Sequence, residues 1–417
     1  MERASGVLMP VSSLPGPYGI GGFGWNAYDF VDFLASCKQH YWQILPLTTT
    51  SYGDSPYQSF SARAGNPNFI DFAELIEAGY LEQCDIDGVY LGSDPSNVDY
   101  GAIFGGRRQI LDRAAERFAA DKPADFDDFV QANEDWLIPY CEFMTVKEEC
   151  GLKAFWEWHA ELRTRGEASA KVCAAHPARM LYHQMTQYFF NRQWSRLKAY
   201  ANERDILIIG DLPIYVAADS VDVWSSPQEF QLDENLLPIE VAGCPPDGFS
   251  ATGQLWGNPL FDWDAMAANG YAWWVRRIRH LCGIYDVLRI DHFRGFAGYY
   301  AIPYGDKTAE NGRWRTGPGY ALFATVKKEL GSPRIIAEDL GFLTDDVRAL
   351  LKECAYPGMK VLEFAFDSRD GGDYRPHSYP TNCVAYTGTH DNEPVQGWFA
   401  TADKTDTDRA VEYLNLT

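Results

Sequence analysis

Several apolar runs in this chain end on acidic residues. VLRI leads into Asp291, IIA into Glu338 and Asp339, and VAYTGTH into Asp391, while ILIIG precedes Asp211. Arg289 lies inside the first of these runs, and His292 and His390 flank two of the acids. A buried strand does not take ionised groups in its interior without partners. At the carboxyl end of a parallel strand, however, the chain opens into a loop crevice where such groups belong to a site. Several carboxylates around one pocket suit chemistry at a glycosidic carbon. One carboxylate attacks the anomeric carbon while a protonated carboxyl donates to the leaving oxygen. Crowding of like charges raises the pKa of one partner and keeps its proton available near neutral pH.

Other readings compete. A single acid at a strand end is more often the N-cap of the next helix, but three such ends shift the balance toward a site. Asp–His clusters also hold metals in barrel hydrolases. That chemistry calls for an HxH on an early strand, and the first strand, GVLMPVSSL, has no histidine. His292 and His390 taken alone are as easily structural as functional. Trp256 in GQLWGNP lies among turn formers rather than in a core stripe, so it reads as a substrate platform, and Tyr57 in SPYQS reads the same way.

The acids can meet only if the strands bearing them share one direction. Residues 6–14 form a strand leaving into a Pro/Gly loop. Ala27, Phe30, Val31 and Leu34 then fall at helical spacing with Asn26 as N-cap, and WQILPL (42–47) is a second strand. This βαβ unit predicts a parallel sheet. Further strands are expected near 206–211, 285–291, 334–339, 359–366 and 383–388, with helices at 178–203, 264–282, 319–330 and after Thr344. The segment 53–176 breaks the rhythm and reads as a largely helical insertion, with helices at 106–119, 126–133 and 152–164. Residues 244–263 read as a loop over the site. The expected fold is α/β: a (β/α)8 TIM barrel with helical insertions, lacking its last βα unit at the C-terminus, with the whole of 1–417 as one catalytic domain. Gly19-x-Gly21-x-x-Gly24 formally matches a dinucleotide fingerprint. Its glycines lie well past the strand behind Pro15 and Pro17, and no acid closes the next strand, so it reads as a plain or substrate-side loop.

The totals narrow the function classes. A formal net charge of −22 argues against nucleic-acid or anionic-membrane partners. No apolar run in the 417 residues approaches a bilayer span, and no secretory signal is visible in MERASGVLMPVSS. Nine cysteines scattered without a CxxC pair read as reduced thiols in a cytoplasm. Aromatic residues make up 15%, including 13 Trp and 24 Tyr; core packing or stacking on sugar rings both account for that share.

LRIDHFRG, IIAEDLG and TGTHDNEP occur in order with SSLPGPYGIGGFG, GDSPYQ, GDLPIYV, PPDGFSATGQLWGNPLFDW and NGRWRTGPG. Together they resemble the 4-α-glucanotransferases (amylomaltases, or disproportionating enzymes) of glycoside hydrolase family 77 in the α-amylase clan, from about residue 6 to 400. The resemblance implies a retaining transferase that moves α-1,4-glucan segments among maltooligosaccharides, amylose, starch or glycogen in the cytoplasm, without a metal or organic cofactor. It implies Asp291 as nucleophile, Glu338 as general acid/base and Asp391 as a third carboxylate bonding the distorted sugar. Arg289 would orient the nucleophile, His390 would bind the same sugar, and Tyr57 and Asp211 would line the donor side. Trp256 and Phe249 on the loop over the cleft would hold the acceptor, with Phe364 nearby. The chain departs from the family pattern at Gly248, where many members carry Tyr. The competing expectations are an α-glucan hydrolase with the same carboxylates and a glucan-binding protein without turnover.

Overall fold

A computed structural model describes residues 3–51, 53–246, 250–341, 343–368 and 374–416. Five short strands form one parallel sheet in the order of the chain: β1 Gly6–Leu8, β2 Tyr41–Gln43, β3 Leu207–Leu212, β4 Val287–Ile290 and β5 Ile335–Ala337. A second parallel pair follows, β6 Gly358–Val361 with β7 Cys383–Tyr386. It is tied to β5 where the Ala337 N–H donates to the Pro357 carbonyl at 2.9 Å. The Met359 N–H also donates to Asp339 Oδ1, at 2.6 Å, so this acid of the IIAED run holds two strands together.

The strands curve around a shared interior. Ile209, Val287, Ile336 and Met359 form one buried cluster, and Tyr41, Val384 and Tyr386 pack against it, so six consecutive strands contribute. The Tyr386 hydroxyl on β7 crosses this interior to donate to Gln43 Oε1 on β2 at 2.7 Å. Among the described residues, no ladder pairs β7 with β1. The central strands are apolar and β-branched because both their faces are covered. Gly210 in β3 is required by close approach, since a Cβ there would lie 2.1 Å from the Tyr285 ring.

The long helix Pro177–Asn202 buries Met185, Tyr188 and Phe189, while Leu181 on the same face is half-buried. Trp194 on the same helix is 1% exposed and donates its indole N–H to the Ile284 carbonyl at 2.9 Å. Burial of each such large side chain contributes about 1.5–3 kcal/mol. Gln187 both accepts from and donates to the backbone of Gly65, at 2.7 and 2.8 Å, and so fixes the start of the 53–176 segment against the helix. Among the described residues, no helix is long and apolar enough to cross a membrane.

The structure departs from the sequence reading in several places. Gly24, not Asn26, is the first helix's N-cap, and the Asn26 amide instead donates to the Pro15 carbonyl. Residues 152–164 form two 3-10 turns, Phe155–Glu157 and Ala160–Leu162, while the helix Glu134–Glu149 lies just before them. The helix expected at 264–282 is two, Trp263–Ala268 and Ala272–Ile284, because Tyr271 adopts a left-handed backbone with φ 53°. The strand at 359–366 stops at Val361 and tightens into the 3-10 turn Glu363–Phe366. Residues 244–263 are not simply a loop. Gln254–Pro259 pairs with Glu240–Cys244, which pairs with Gly298–Pro303 and through it with Arg313–Thr316, making a four-stranded antiparallel sheet.

Candidate active site

Asp211 and Arg289 are register partners in the β3–β4 ladder. Residues paired in this way point to the same face, and here the result is a buried ion pair. Arg289 Nη1 donates to both Asp211 oxygens at 2.7 and 2.8 Å, and the two side chains are 2% and 0% exposed. The same nitrogen donates to Asp291 Oδ1 at 3.0 Å. One guanidinium therefore faces two carboxylates, satisfying the requirement that buried charge be paired.

Glu338 follows β5 directly. Its backbone N–H donates to the Ile290 carbonyl at 3.0 Å, which sets it beside the end of β4. Its side chain then accepts from the His292 N–H on Oε2 and the Leu340 N–H on Oε1, each at 2.7 Å. His292 is the residue after Asp291, so the Glu338 carboxyl is bound to the peptide adjoining the other acid. His292 has φ 50°, a left-handed conformation uncommon for a residue with a Cβ. Such outliers cluster at functional sites.

Burial is the largest cause lifting the Asp291 carboxyl, to about 8, with Asp211 and Glu338 adding to it and Arg289 opposing. Burial likewise raises Glu338, against Arg289 and the two backbone N–H donors. Glu338 thus helps to raise Asp291, while the neighbouring Asp339 adds to the rise of Glu338, all in one low-dielectric site. A raised carboxyl is the kind of group that can hold a proton for acid-assisted cleavage.

A second chain of contacts runs from the opposite wall. The Tyr57 hydroxyl donates to Asp211 Oδ2 at 2.7 Å and lies 2.7 Å from His390 Nε2. A phenol has one proton, so His390 Nε2 must be the N–H donor in the second contact. The two rings stack with centroids 5.7 Å apart and planes within 8°. Burial keeps His390 neutral by lowering its pKa. Asp391 lies 3.5 Å from His390 Nε2 with its side chain 73% exposed, so it faces open space beside the cluster.

Trp256 stands on the antiparallel sheet, and its ring meets His292 edge-to-face at 4.8 Å. Gln58 Nε2 donates to the Trp256 carbonyl at 3.3 Å and to Asn258 Oδ1 at 3.1 Å, clamping that strand to the segment that carries Tyr57. Tyr57, Asp211, Arg289, Asp291, Glu338, His390, Asp391 and Trp256 are thus joined by one continuous set of contacts. Phe364 is not in that set; its ring partner is Tyr374, at 5.5 Å. Phe249 lies outside the described residues. The sequence reading missed Gln58 and the His292 backbone N–H. Gln58 falls within the quoted GDSPYQ motif, but a backbone donor carries no residue-type signal at all.

A family model described as 4-alpha-glucanotransferase matches residues 9–417. The chain belongs to this 4-alpha-glucanotransferase family. A 4-alpha-glucanotransferase from Streptococcus pneumoniae serotype 4 is 54% identical over 401 residues, covering 95% of this chain and 79% of the relative. One from Clostridium butyricum is 47% identical, covering 98% of this chain and 85% of the relative. Among solved structures, the amylomaltase from Streptococcus agalactiae in complex with acarbose superposes with a TM-score of 0.96 at 46% identity, over 100% of this chain and 85% of that one. The activity of the chain is that of its family, 4-alpha-glucan transfer.

Proposed function

We propose that the transfer runs as a retaining double displacement on Asp291 and Glu338, with α-1,4-glucans as donor and acceptor. An Asp291 oxygen attacks the anomeric carbon as the glycosidic C1–O4 bond breaks, and Glu338 gives its proton to the leaving O4. The acceptor's 4-hydroxyl then returns a proton to Glu338 and attacks C1, releasing Asp291. Maltooligosaccharides, amylose, starch and glycogen all present this linkage.

The observation that carries this reading is the bond from the His292 N–H to Glu338 Oε2. It supports the assignment because it puts Glu338 against the peptide adjoining Asp291, and a retaining mechanism needs its two carboxyls close together. Arg289 holds the attacking oxygen in place. His390 and Tyr57 offer ring edges and a hydroxyl to the donor sugar, and Asp391 offers an exposed carboxylate to its hydroxyls. Trp256 supplies an aromatic face for the acceptor. A site that binds the incoming sugar and excludes water favours transfer over hydrolysis.

The same reading takes the strands as units of a (β/α)8 barrel, with 53–176 as an insertion that brings Tyr57 and Gln58 to the cleft. The same proposal places the enzyme in the cytoplasm. Product analysis on maltotriose tests the function. Glucose together with longer oligomers is the expected outcome; release of one new reducing end per cleavage, with no longer products, would make the chain a hydrolase.

A further inference from the structure

His390 and Asp391 ride on a turn that is closed on itself. The Thr389 N–H and hydroxyl both donate to Asn392 Oδ1, at 2.9 and 3.0 Å, and the Asp391 N–H donates to Thr389 Oγ1 at 3.3 Å. The turn is therefore a compact unit, and its place depends on β7 just before it. On one side β7 is held by its ladder to β6. The Leu362 and Glu363 N–H groups extend that hold by donating to the Tyr386 and Thr387 carbonyls, at 2.8 and 3.2 Å. On the other side, among the described residues, no strand pairs with β7. Its distance from β2, β3 and β4 is left to side chains.

The register of the strands shows which side chains meet. Gln43 pairs with Ile209 and Ile209 with Val287, so the three share one face. Asp211 and Arg289, two residues further along β3 and β4, form the next row on that face, toward the strand ends. On β7, Tyr386 stands two residues beyond Val384, and both pack on the same interior cluster. The Tyr386 hydroxyl donates to Gln43 Oε1 at 2.7 Å. Burial pushes this hydroxyl up to about 12, so it keeps its proton and remains the donor. Gln43 is 5% exposed, and the core of the cluster, Ile209, Val287, Ile336 and Met359, is apolar. Apolar side chains of similar size would fill the place of the pair at little cost in stability. A hydrogen bond supplies what they do not, since it holds at one separation and one direction.

We propose that Tyr386 and Gln43 are positioning residues, whose bond across the sheet interior sets β7 so that His390 and Asp391 meet the sugar at cleavage. The role of those two residues rests on the double-displacement reading above. The contact of His390 Nε2 with the Tyr57 hydroxyl, which in turn donates to Asp211, joins the same turn to β3 nearer the strand ends. The Tyr386–Gln43 bond is its counterpart one row down. With the lower bond gone, the turn pivots on the upper one, and groups that grip the sugar most tightly in the transition state lose their aim.

The test compares the parent with Gln43→Met, Tyr386→Phe and the double variant, by thermal midpoint and by kinetics and product ratio on maltotriose. Each single change strands one polar partner and should melt below the parent. The double variant should recover the parent's midpoint or exceed it, yet its kcat should stay about tenfold to a hundredfold down. Its KM should move less than kcat, because the lost aim acts on the transition state. Its ratio of transfer to hydrolysis should match the parent's, since the acceptor side does not rest on β7. A pair that serves only the fold would recover kcat together with the midpoint, and that result would overturn the proposal. A double variant that failed to fold would overturn it as well. Turnover of maltotriose by the parent is read first, so a failure of the glucan-transfer reading shows there and not in the variants.

Discussion

Arg289 and Asp211 form the most deeply buried ion pair of the site, joined through a single nitrogen, Nη1, that also reaches Asp291. Removing only one partner leaves the other as an uncompensated charge, which costs about 3–5 kcal/mol. Arg289→Ala should therefore lower unfolding free energy by that order and reduce turnover by at least about a hundredfold. Asp211→Asn combined with Arg289→Met should be less harmful than the sum of the single changes, because Arg289→Met alone leaves the Asp211 carboxylate buried without its cation. Urea unfolding of the four proteins measures this cycle, and strict additivity would show that the pair is not coupled.

Asp291→Asn keeps the shape of the side chain and still offers an oxygen to Arg289, but it is a poor nucleophile. Turnover on maltotriose should fall by about a thousandfold or more, with maltooligosaccharide binding by calorimetry changed by less than about tenfold. Retained turnover would remove Asp291 from the proposed role and leave the covalent step without a nucleophile.

Which parts of this site were legible in the sequence follows from how each residue does its work. Asp291, Glu338 and Asp391 announce themselves because an acid after an apolar run has few reasons to be there. Helix Pro177–Asn202 shows itself by periodicity. The sheet carrying Trp256 does not, because Glu240–Cys244 and Gln254–Pro259 are short, are interrupted by Gly243 and Gly257, and pair across a turn-rich connection. The 3-10 turn at Glu363–Phe366 is equally hidden: Phe364 and Phe366 keep the two-residue spacing of a strand, and only the ladder's end at Val361 marks the change. Phe364, assigned near the acceptor by resemblance alone, packs on Tyr374.

Glu363 supplies a pH prediction. Its residue is 6% exposed, its Oε1 has no hydrogen-bond partner, and burial, reinforced by the charge of Glu393, pushes its pKa from 4.5 up to about 7. A carboxyl raised on folding binds its proton more tightly in the native state. Its contribution is therefore fully present below about pH 4.5 and is lost as pH rises through about 7. Glu363→Gln removes that dependence. The variant should gain on the order of 1 kcal/mol relative to the parent between pH 5 and pH 8. Thermal melts across that interval decide it, and parallel curves for the two proteins would show that Glu363 does not titrate there.

Trp256 connects the antiparallel sheet to Glu338, the proposed acid/base, since its ring packs on His292, whose N–H holds Glu338. Truncation should affect the acceptor half-reaction more than glycosidic cleavage. With Trp256→Ala, KM for a glucose acceptor should rise roughly tenfold, corresponding to a lost aromatic contact of about 1–1.5 kcal/mol. The ratio of transfer to hydrolysis should fall, because water then competes for the covalent intermediate on better terms. Trp256→Phe should restore most of the ratio, since a planar face is retained beside His292. Chromatography of maltotriose digests gives the ratio directly. If Trp256→Ala slowed cleavage and transfer in equal proportion, the residue would act only by positioning Glu338 through His292, and the acceptor platform would have to be sought elsewhere on the rim.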